Sequence, residues 1–443
     1  MAAGKIRNFG FGVDGVNIVT DPLKLKPSEG ISLQNAELVP NEATGGLSAL
    51  TQRKGLDALN GSAMSGSVIG IYNWPLRTTI VKTLYAAKQT EDANTFQSTI
   101  DGTTWVPTST PVAPVTDAYF ADNSNVQSAR RFAGFKNLLI YPGGTYTQDS
   151  ANPTIQSWNG TDAFTVTAIP VGPGDSSDEP FVIVDQLTIG DKTYLAVSDP
   201  GGGAAPDHAG RVLQLDMTTG KLRQVASTFG NDSGQMGGGT PCCMAYYQNQ
   251  LFVGLNGSAT TNGIGKIVRC FPDVDETWTV DVSNLVSHPV TLIAEGGGML
   301  VGTRSSATTG AQVYFRSNSA LTWGSELTSG GGAAGSGHYQ GLVSYNGEVY
   351  CVEYHSTTPI INIKKRTALG VWSTVRDVAT TDSGVAGNLP GNGIVFNSKL
   401  FFTFRSLTAG GNDGFILQCA TSTWTKVLTD NIGGSMAILT QRS

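Results

Sequence analysis

Apolar and polar residues alternate in short runs over most of this chain, and the runs come in pairs separated by one or two turn-forming residues. The stretch Tyr339 to Val378 shows the unit in full. Leu342–Tyr345 runs into Asn346-Gly347 and then into Glu348–Tyr354. An Asn-Gly pair between two alternating segments predicts a tight hairpin, because both turn positions need positive φ. A second hairpin follows, from Ile360–Lys364 through Thr367–Gly370 to Val371–Val375. Four antiparallel strands in about forty residues, with Trp372 at the head of the fourth, have the size of a β-propeller blade.

Two markers repeat this unit along the chain. Asn- or Gly-centred turns near residues 137, 190, 249, 297, 346 and 397 follow one another at steps of 53, 59, 48, 49 and 51. Trp105, Trp158, Trp278, Trp323, Trp372 and Trp424 are separated by 53, 120, 45, 49 and 52, and Leu222 stands at the middle of the double gap. A period near fifty suits a propeller blade, whereas a solenoid of that period is normally helical. The sequence therefore predicts an all-β fold, a single β-propeller of seven four-stranded blades, with a composite eighth blade from 45–59 and 431–443 as the alternative. Residues 1–44 are predicted to form an extended N-terminal arm, with one short helix over Ser28 to Val39 capped by Ser28. Residues 45–443 are predicted to form the propeller. Gly45–Arg53 echoes Gly433–Arg442, so these two segments are expected to pair and close the ring, leaving no free sheet edge there.

Composition agrees with this picture. The 443 residues include 56 Gly and only 14% charged side chains, which favours turns and β-branched strands over helices. A net charge of −6 speaks against nucleic acid or an anionic membrane as a bound partner. There is no apolar run of about 18 residues, so no membrane insertion is expected. The opening Met1–Lys5 has no apolar core of a secretion signal, so synthesis in a cytoplasm is expected. Cys242, Cys243, Cys270, Cys351 and Cys419 lie in or beside apolar runs without CxxC spacing, and read as small buried hydrophobes.

Candidate chemistry is sparse. The Trp hairpins resemble the sialidase Asp-box, as in Ser317–Trp323, Asp273–Trp278 and Ser98–Trp105. They are expected to act as turn devices, with the acid or amide holding loop N–H groups and the indole packed between blades. His208, His288, His338 and His355 fall in different repeats without metal spacing. Asp185, Glu295 and Glu353 occupy apparently equivalent places in three blades, where they could line a central channel; two facing carboxylates would be needed for a glycosidase. The Gly-rich loops 200–205, 236–239 and 330–335 read as connections. No residue is assigned as catalytic, cofactor-binding or metal-ligating, no cofactor is implied, and the chain is expected not to be an enzyme.

The N-terminal motifs carry a resemblance. Gly15–Glu29, then Gln34–Leu38, then Gly46–Leu56 resemble the opening of bacteriophage virion proteins that continue into a β-propeller, of the tail nozzle or head-to-tail stabilisation type. Lys54 stands where that pattern has Pro. The resemblance implies a structural component of the virion tail, assembled with itself as a ring (a hexamer is one option) against tail or portal-region proteins, with DNA passing unbound. A receptor- or carbohydrate-binding propeller of a tail fibre or baseplate is the alternative, and a propeller glycosidase the remote one.

Overall fold

A computed structural model of the chain describes residues 36–41, 46–52, 80–88, 96–109, 132–135, 137–143, 154–168, 182–198, 210–227, 239–256, 265–272, 274–295, 297–305, 310–328, 337–355, 360–383, 389–405, 413–430 and 432–442. The chain divides into two compact units, Met1–Thr79 and Ile80–Ser443. In the first, β1 (Ala36–Asn41) pairs antiparallel with β2 (Gly46–Gln52). The expected helix over 28–39 is thus a strand from Ala36 onward, and residues 28–35 lie outside the described residues.

The second unit is built of antiparallel meanders. Strands β3 (Ile80–Lys88), β4 (Phe96–Thr99) and β5 (Val106–Thr108) come first. Then come β6 (Ala133–Phe135), β7 (Leu138–Gly143), β8 (Thr154–Trp158) and β9 (Ala163–Ala168). The next set is β10 (Val182–Ile189), β11 (Lys192–Ser198), β12 (Gly210–Asp216) and β13 (Leu222–Ser227). It is followed by β14 (Thr240–Tyr247), β15 (Gln250–Asn256), β16 (Gly265–Phe271) and β17 (Asp275–Leu285). After these run β18 (His288–Glu295), β19 (Gly298–Arg304), β20 (Gln312–Ser317) and β21 (Trp323–Thr328). The stretch that defined the repeat gives β22 (Gly337–Tyr345), β23 (Glu348–His355), β24 (Ile360–Ala368) and β25 (Val371–Asp377). The chain ends with β26 (Leu389–Phe396), β27 (Lys399–Arg405), β28 (Gly414–Ala420), β29 (Thr423–Asp430) and β30 (Ile432–Arg442).

Among the described residues the body holds five four-stranded sheets and one eight-stranded sheet. The expected seven separate sheets are not seen, because one backbone pair, Arg304 with His338, joins the meander β18–β21 to β22–β25. First strands of successive meanders lie side by side: β6 by β10, then β14, β18, β22, β26 and β30, and β30 returns to β6. The arrangement is propeller-like. Its last strand, β30, pairs with β3 from Ile80↔Arg442 to Lys88↔Ile432. Within the first unit the ladder partner of β2 is β1.

The predicted turns follow their residues. Asn346 and Gly347 take φ of 52° and 78°, the left-handed pair that a two-residue hairpin of matching twist requires. Gln248 with Asn249, and Asn397 with Ser398, do the same. In the outer hairpins Asp101 Oδ1 accepts from the N–H groups of Thr103 and Thr104, both at 2.7 Å. Asp216 Oδ1 serves Thr218 and Thr219, and Asn159 Oδ1 serves Thr161 and Asp162. These are Asx turns, as expected for Ser98–Trp105; in Ser317–Trp323 it is Ser317 Oγ that accepts from Ala320 N, while Asn318 Nδ2 donates to Tyr247 Oη, and Asp273 lies outside the described residues.

Hydrophobic cores sit between meanders. Tyr350, Val352 and Ile363 pack with Phe402, Phe404 and Phe415 of the following set, and Leu300 and Val313 pack with Tyr339 and Cys351. Tryptophan seals several of these seams from the outer strands. Trp424 stacks on Phe402 and meets Tyr350 edge-on, and Trp105 meets Phe401 edge-on. Trp158 breaks the pattern. It ends the third strand β8, is 1% exposed, and lies parallel to Phe96 with ring centroids 5.9 Å apart. Ala163 holds the fourth-strand place there.

A polar staple that the sequence did not reveal ties the same seams. Asp281 on β17 receives Trp323 Nε1 at 2.6 Å, with Arg316 Nε at 2.9 Å and Arg269 Nε at 2.9 Å. One meander on, Glu326 on β21 receives Trp372 Nε1 at 3.3 Å and Arg366 Nε at 2.8 Å. Arg366 also lies over the Phe315 ring at 4.4 Å. An acid on one outer strand thus holds a Trp and an Arg from the next meander. Sharing one carboxylate gives the buried indole an acceptor and the buried guanidinium a counter-charge at once.

Candidate functional site

First strands start, and second strands finish, at the same end of the body, and every first strand from β10 to β26 other than the ring-closing ones carries a bulge near that start. The register shifts fall at Ile183/Asp185, Pro241/Cys243, Pro289/Thr291, Gln340/Val343 and Pro390/Gly393. Proline suits a bulge because a ladder N–H is not required there.

One of the predicted carboxylates sits at such a bulge. Asp185 follows the β10 bulge, is fully buried, and accepts from Met244 N at 2.6 Å and Gln186 N at 2.9 Å. It ties one first strand to the next. Asn392 does the same in β26, donating to Met436 O at 3.1 Å and accepting from Met436 N at 3.0 Å. Glu295 is the last residue of β18, at the opposite end of its strand from His288. Glu353 stands on a second strand, β23. The three are therefore not equivalent and are not brought together as a facing pair.

Glu353 instead centres a buried network. Tyr339 Oη donates to Oε1 at 3.0 Å, Asn362 Nδ2 to Oε2 at 3.2 Å, and Lys364 Nζ lies 3.0 Å from Oε2. His355 Nε2 is 3.5 Å from Oε1. Burial works to raise the carboxyl pKa, but the bonds from His355, Lys364 and Asn362 prevail and bring it down to about 2. A carboxylate held on both oxygens is fixed in place and ionised, which suits a structural charge rather than a general acid.

Four basic residues gather at the strand ends next to it. His288 opens β18 opposite Arg304, which closes β19. Arg304 pairs in turn with His338 of β22, and His338 with Tyr354 of β23. Arg405 closes β27 on the following meander. The His338 ring lies 4.6 Å from the Tyr354 ring and is 3% exposed. Burial first, then the charges of Arg304, His355 and Arg405, lower the His338 pKa to about 3. Burial and Arg304 lower that of His288 to about 4. Both imidazoles are neutral near pH 7. Sequence reasoning noted His288 and His338 as isolated; the signal it lacked was that each stands at the start of a first strand, one meander apart. His208 and residues 200–205, 236–238 and 330–335 of the Gly-rich loops lie outside the described residues. All five cysteines are buried free thiols, as expected of small apolar residues. Among the described residues no group of three or more His, Cys, Asp or Glu is arranged to hold a metal.

No protein-family model and no curated protein sequence matches the chain. Among solved structures it is similar to a periplasmic gluconolactonase of Pseudomonas aeruginosa, with a TM-score of 0.54 and 12% identity over 82% of this chain and 99% of that one. It is also similar to a putative 6-phosphogluconolactonase of Bacteroides uniformis, with a TM-score of 0.49 and 13% identity over 81% and 99%. A prolyl endopeptidase gives a TM-score of 0.39 and 11% identity over 70% of this chain, which spans 50% of that enzyme's length. The gluconolactonase neighbour corrects the expectation that the chain is not an enzyme: the architecture is shared with an enzyme, so the absence of familiar catalytic motifs does not exclude catalysis. At such identities the gluconolactonase likeness establishes the fold alone, an all-β body with a propeller-like arrangement.

Proposed function

We propose that the chain is a β-propeller component of a bacteriophage virion, assembled with copies of itself as a ring in the tail or head-to-tail region. The observation that carries the reading is the division of labour along the chain. The body from Ile80 onward completes its strand ladder with its own C-terminal strand, β30 on β3. The ladder therefore closes without the unit Met1–Thr79. The motifs that resemble virion proteins, Gly15–Glu29, Gln34–Leu38 and Gly46–Leu56, all fall in that unit. A segment that the body does not use for closure is available to join neighbours in an assembly.

Seven blades is the count this reading adopts. It takes the eight-stranded sheet as two blades joined at Arg304–His338 and counts β30 with β3–β5 as one. What supports it is the closed series of first strands and the cores shared by each meander with the next. Native mass spectrometry of the full chain tests the assembly. A ring of fixed stoichiometry is expected, and a monomer at every concentration would contradict it.

A further inference from the structure

We propose that the outer hairpin tips of three successive meanders, β16–β17, β20–β21 and β24–β25, form a surface that docks on the same surface of a second copy of this chain. These tips lie at the end of the body opposite the strand-start bulges. They follow one another around it: Trp323 reaches Asp281 on β17, Trp372 reaches Glu326 on β21, and Asn318 Nδ2 donates to Tyr247 Oη at 2.6 Å. Each tip holds large apolar side chains out in solvent. Val274 is 87% exposed and Leu369 69%, and Phe271, Leu321 and Val371 are each about half exposed. The tips of β8–β9 and β12–β13 are built instead on Asn159-Gly160-Thr161 and Thr218-Thr219-Gly220.

Leu321 adds a second observation. Its φ is 54°, in the left-handed region that suits Gly, Asn or Asp and is disfavoured for a leucine. The turn holds it there, with Leu321 N donating to Ser317 O at 3.1 Å and Ala320 N to Ser317 Oγ at 3.0 Å. A leucine at this place strains the backbone and leaves its own side chain half in water. Its use therefore lies outside the packing of this chain.

Charge selects the occupant. Residues 318–322 and 367–371 are all exposed, and none of them is charged. The charges behind them are paired within the body, Arg366 with Glu326 and Arg316 and Arg269 with Asp281. The chain as a whole carries −6, so two copies repel each other in most approaches, and these tips offer a face without that repulsion. A lipid surface would call for Lys or Arg flanking the apolar tips, and residues 318–322 and 367–371 supply neither. The five apolar side chains leave on the order of 500 Å² uncovered, more than half of the about 800 Å² that each partner of a standard interface buries. A two-fold contact uses the patch twice, once from each copy. Such a contact needs nothing from Met1–Thr79, so it stands apart from the ring proposed above.

Sedimentation equilibrium and native mass spectrometry of the full chain, over a dilution series, test this with Leu321→Gly and Leu369→Ser. Glycine relieves the left-handed backbone. Leu321→Gly is therefore expected to keep or raise the thermal midpoint of the dilute protein while weakening association about tenfold or more. A purely structural role for the leucine would not separate these two readouts. Leu369→Ser, at an open turn, is expected to weaken association to a similar degree with the fold intact. Halving of the particle mass in both variants supports the contact. An unchanged mass in either variant overturns it, as does a wild-type chain that is monomeric at every concentration. Binding of the wild type to phosphatidylcholine vesicles, lost in both variants, overturns it in favour of a lipid surface. A wild-type dimer that the variants dissolve upholds the contact and refutes the ring, whereas a ring that the variants leave intact does the reverse.

Discussion

Removing the carboxylate of Asp281 is predicted to loosen one seam of the propeller-like body far more than any surface change. Asp281→Ala takes away the acceptor of Trp323 Nε1 at 2.6 Å and the counter-charge of Arg316, whose Nε and Nη2 lie 2.9 and 3.2 Å from it. The Arg316 side chain is 3% exposed and that of Asp281 4%, so the guanidinium would be left charged and dry. Breaking such a pair from one side costs about 3–5 kcal/mol. Arg269 is 31% exposed and adds no more than about 1 kcal/mol. Asp281→Asn keeps an acceptor for the indole and is expected to cost less, about 1–3 kcal/mol. The assay is equilibrium urea unfolding combined with amide exchange on β17 and β21, which report the seam directly. Adding Arg316→Met to Asp281→Ala should recover a large part of the loss, because the orphaned charge goes with it. A loss below about 1 kcal/mol for Asp281→Ala, or no recovery in the double variant, would refute the reasoning.

Three further outcomes follow from the same contacts. Glu353 has a folded pKa of about 2 against an ordinary value of 4.5, so its contribution is complete above pH 4.5 and lost as pH falls toward 2. Acid titration of stability should show this step, and Glu353→Gln should remove it. His338 runs through a different window: its folded pKa is about 3 against 6.5, so between those values the unfolded chain binds the extra proton. Stability should fall as pH drops below 6.5, and His338→Gln should lessen the slope by up to about 1.4 kcal/mol per pH unit. Gly337→Ala would set a Cβ 2.9 Å from the His355 ring and 3.3 Å from Tyr354 O, and is expected to cost about 1–3 kcal/mol by thermal unfolding.

Much of the fold was legible because the repeat is written in turn residues and tryptophans. Asn346-Gly347 marked its hairpin through the φ values that few other pairs adopt. The first outer hairpin was legible through Asp101, whose side chain does locally what the sequence suggests, whereas the like turn of Asp216 was not singled out. Trp158 misled, because a large buried indole fills a core equally well from the third strand as from the fourth. The equivalence drawn between Asp185, Glu295 and Glu353 failed for a geometric reason. Asp185 lies within a first strand, Glu295 at the far end of another and Glu353 on a second strand, so spacing counted along the chain does not name the same place in the meander. The staples of Asp281 and Glu326 were invisible for another reason. Each acid stands more than forty residues from its Trp, and nothing local distinguishes it from a solvated charge on an outer strand. The rim of His288, Arg304, His338 and Arg405 is likewise a product of strand ends meeting across three meanders.

The most direct test of the central claim is electron cryo-microscopy of phage particles whose genome encodes this chain. The account predicts a ring of copies in the tail or head-to-tail region, each with density that fits the propeller-like body from Ile80 to Ser443. Particles that lack the chain, or hold it as isolated single copies outside any ring, would contradict it.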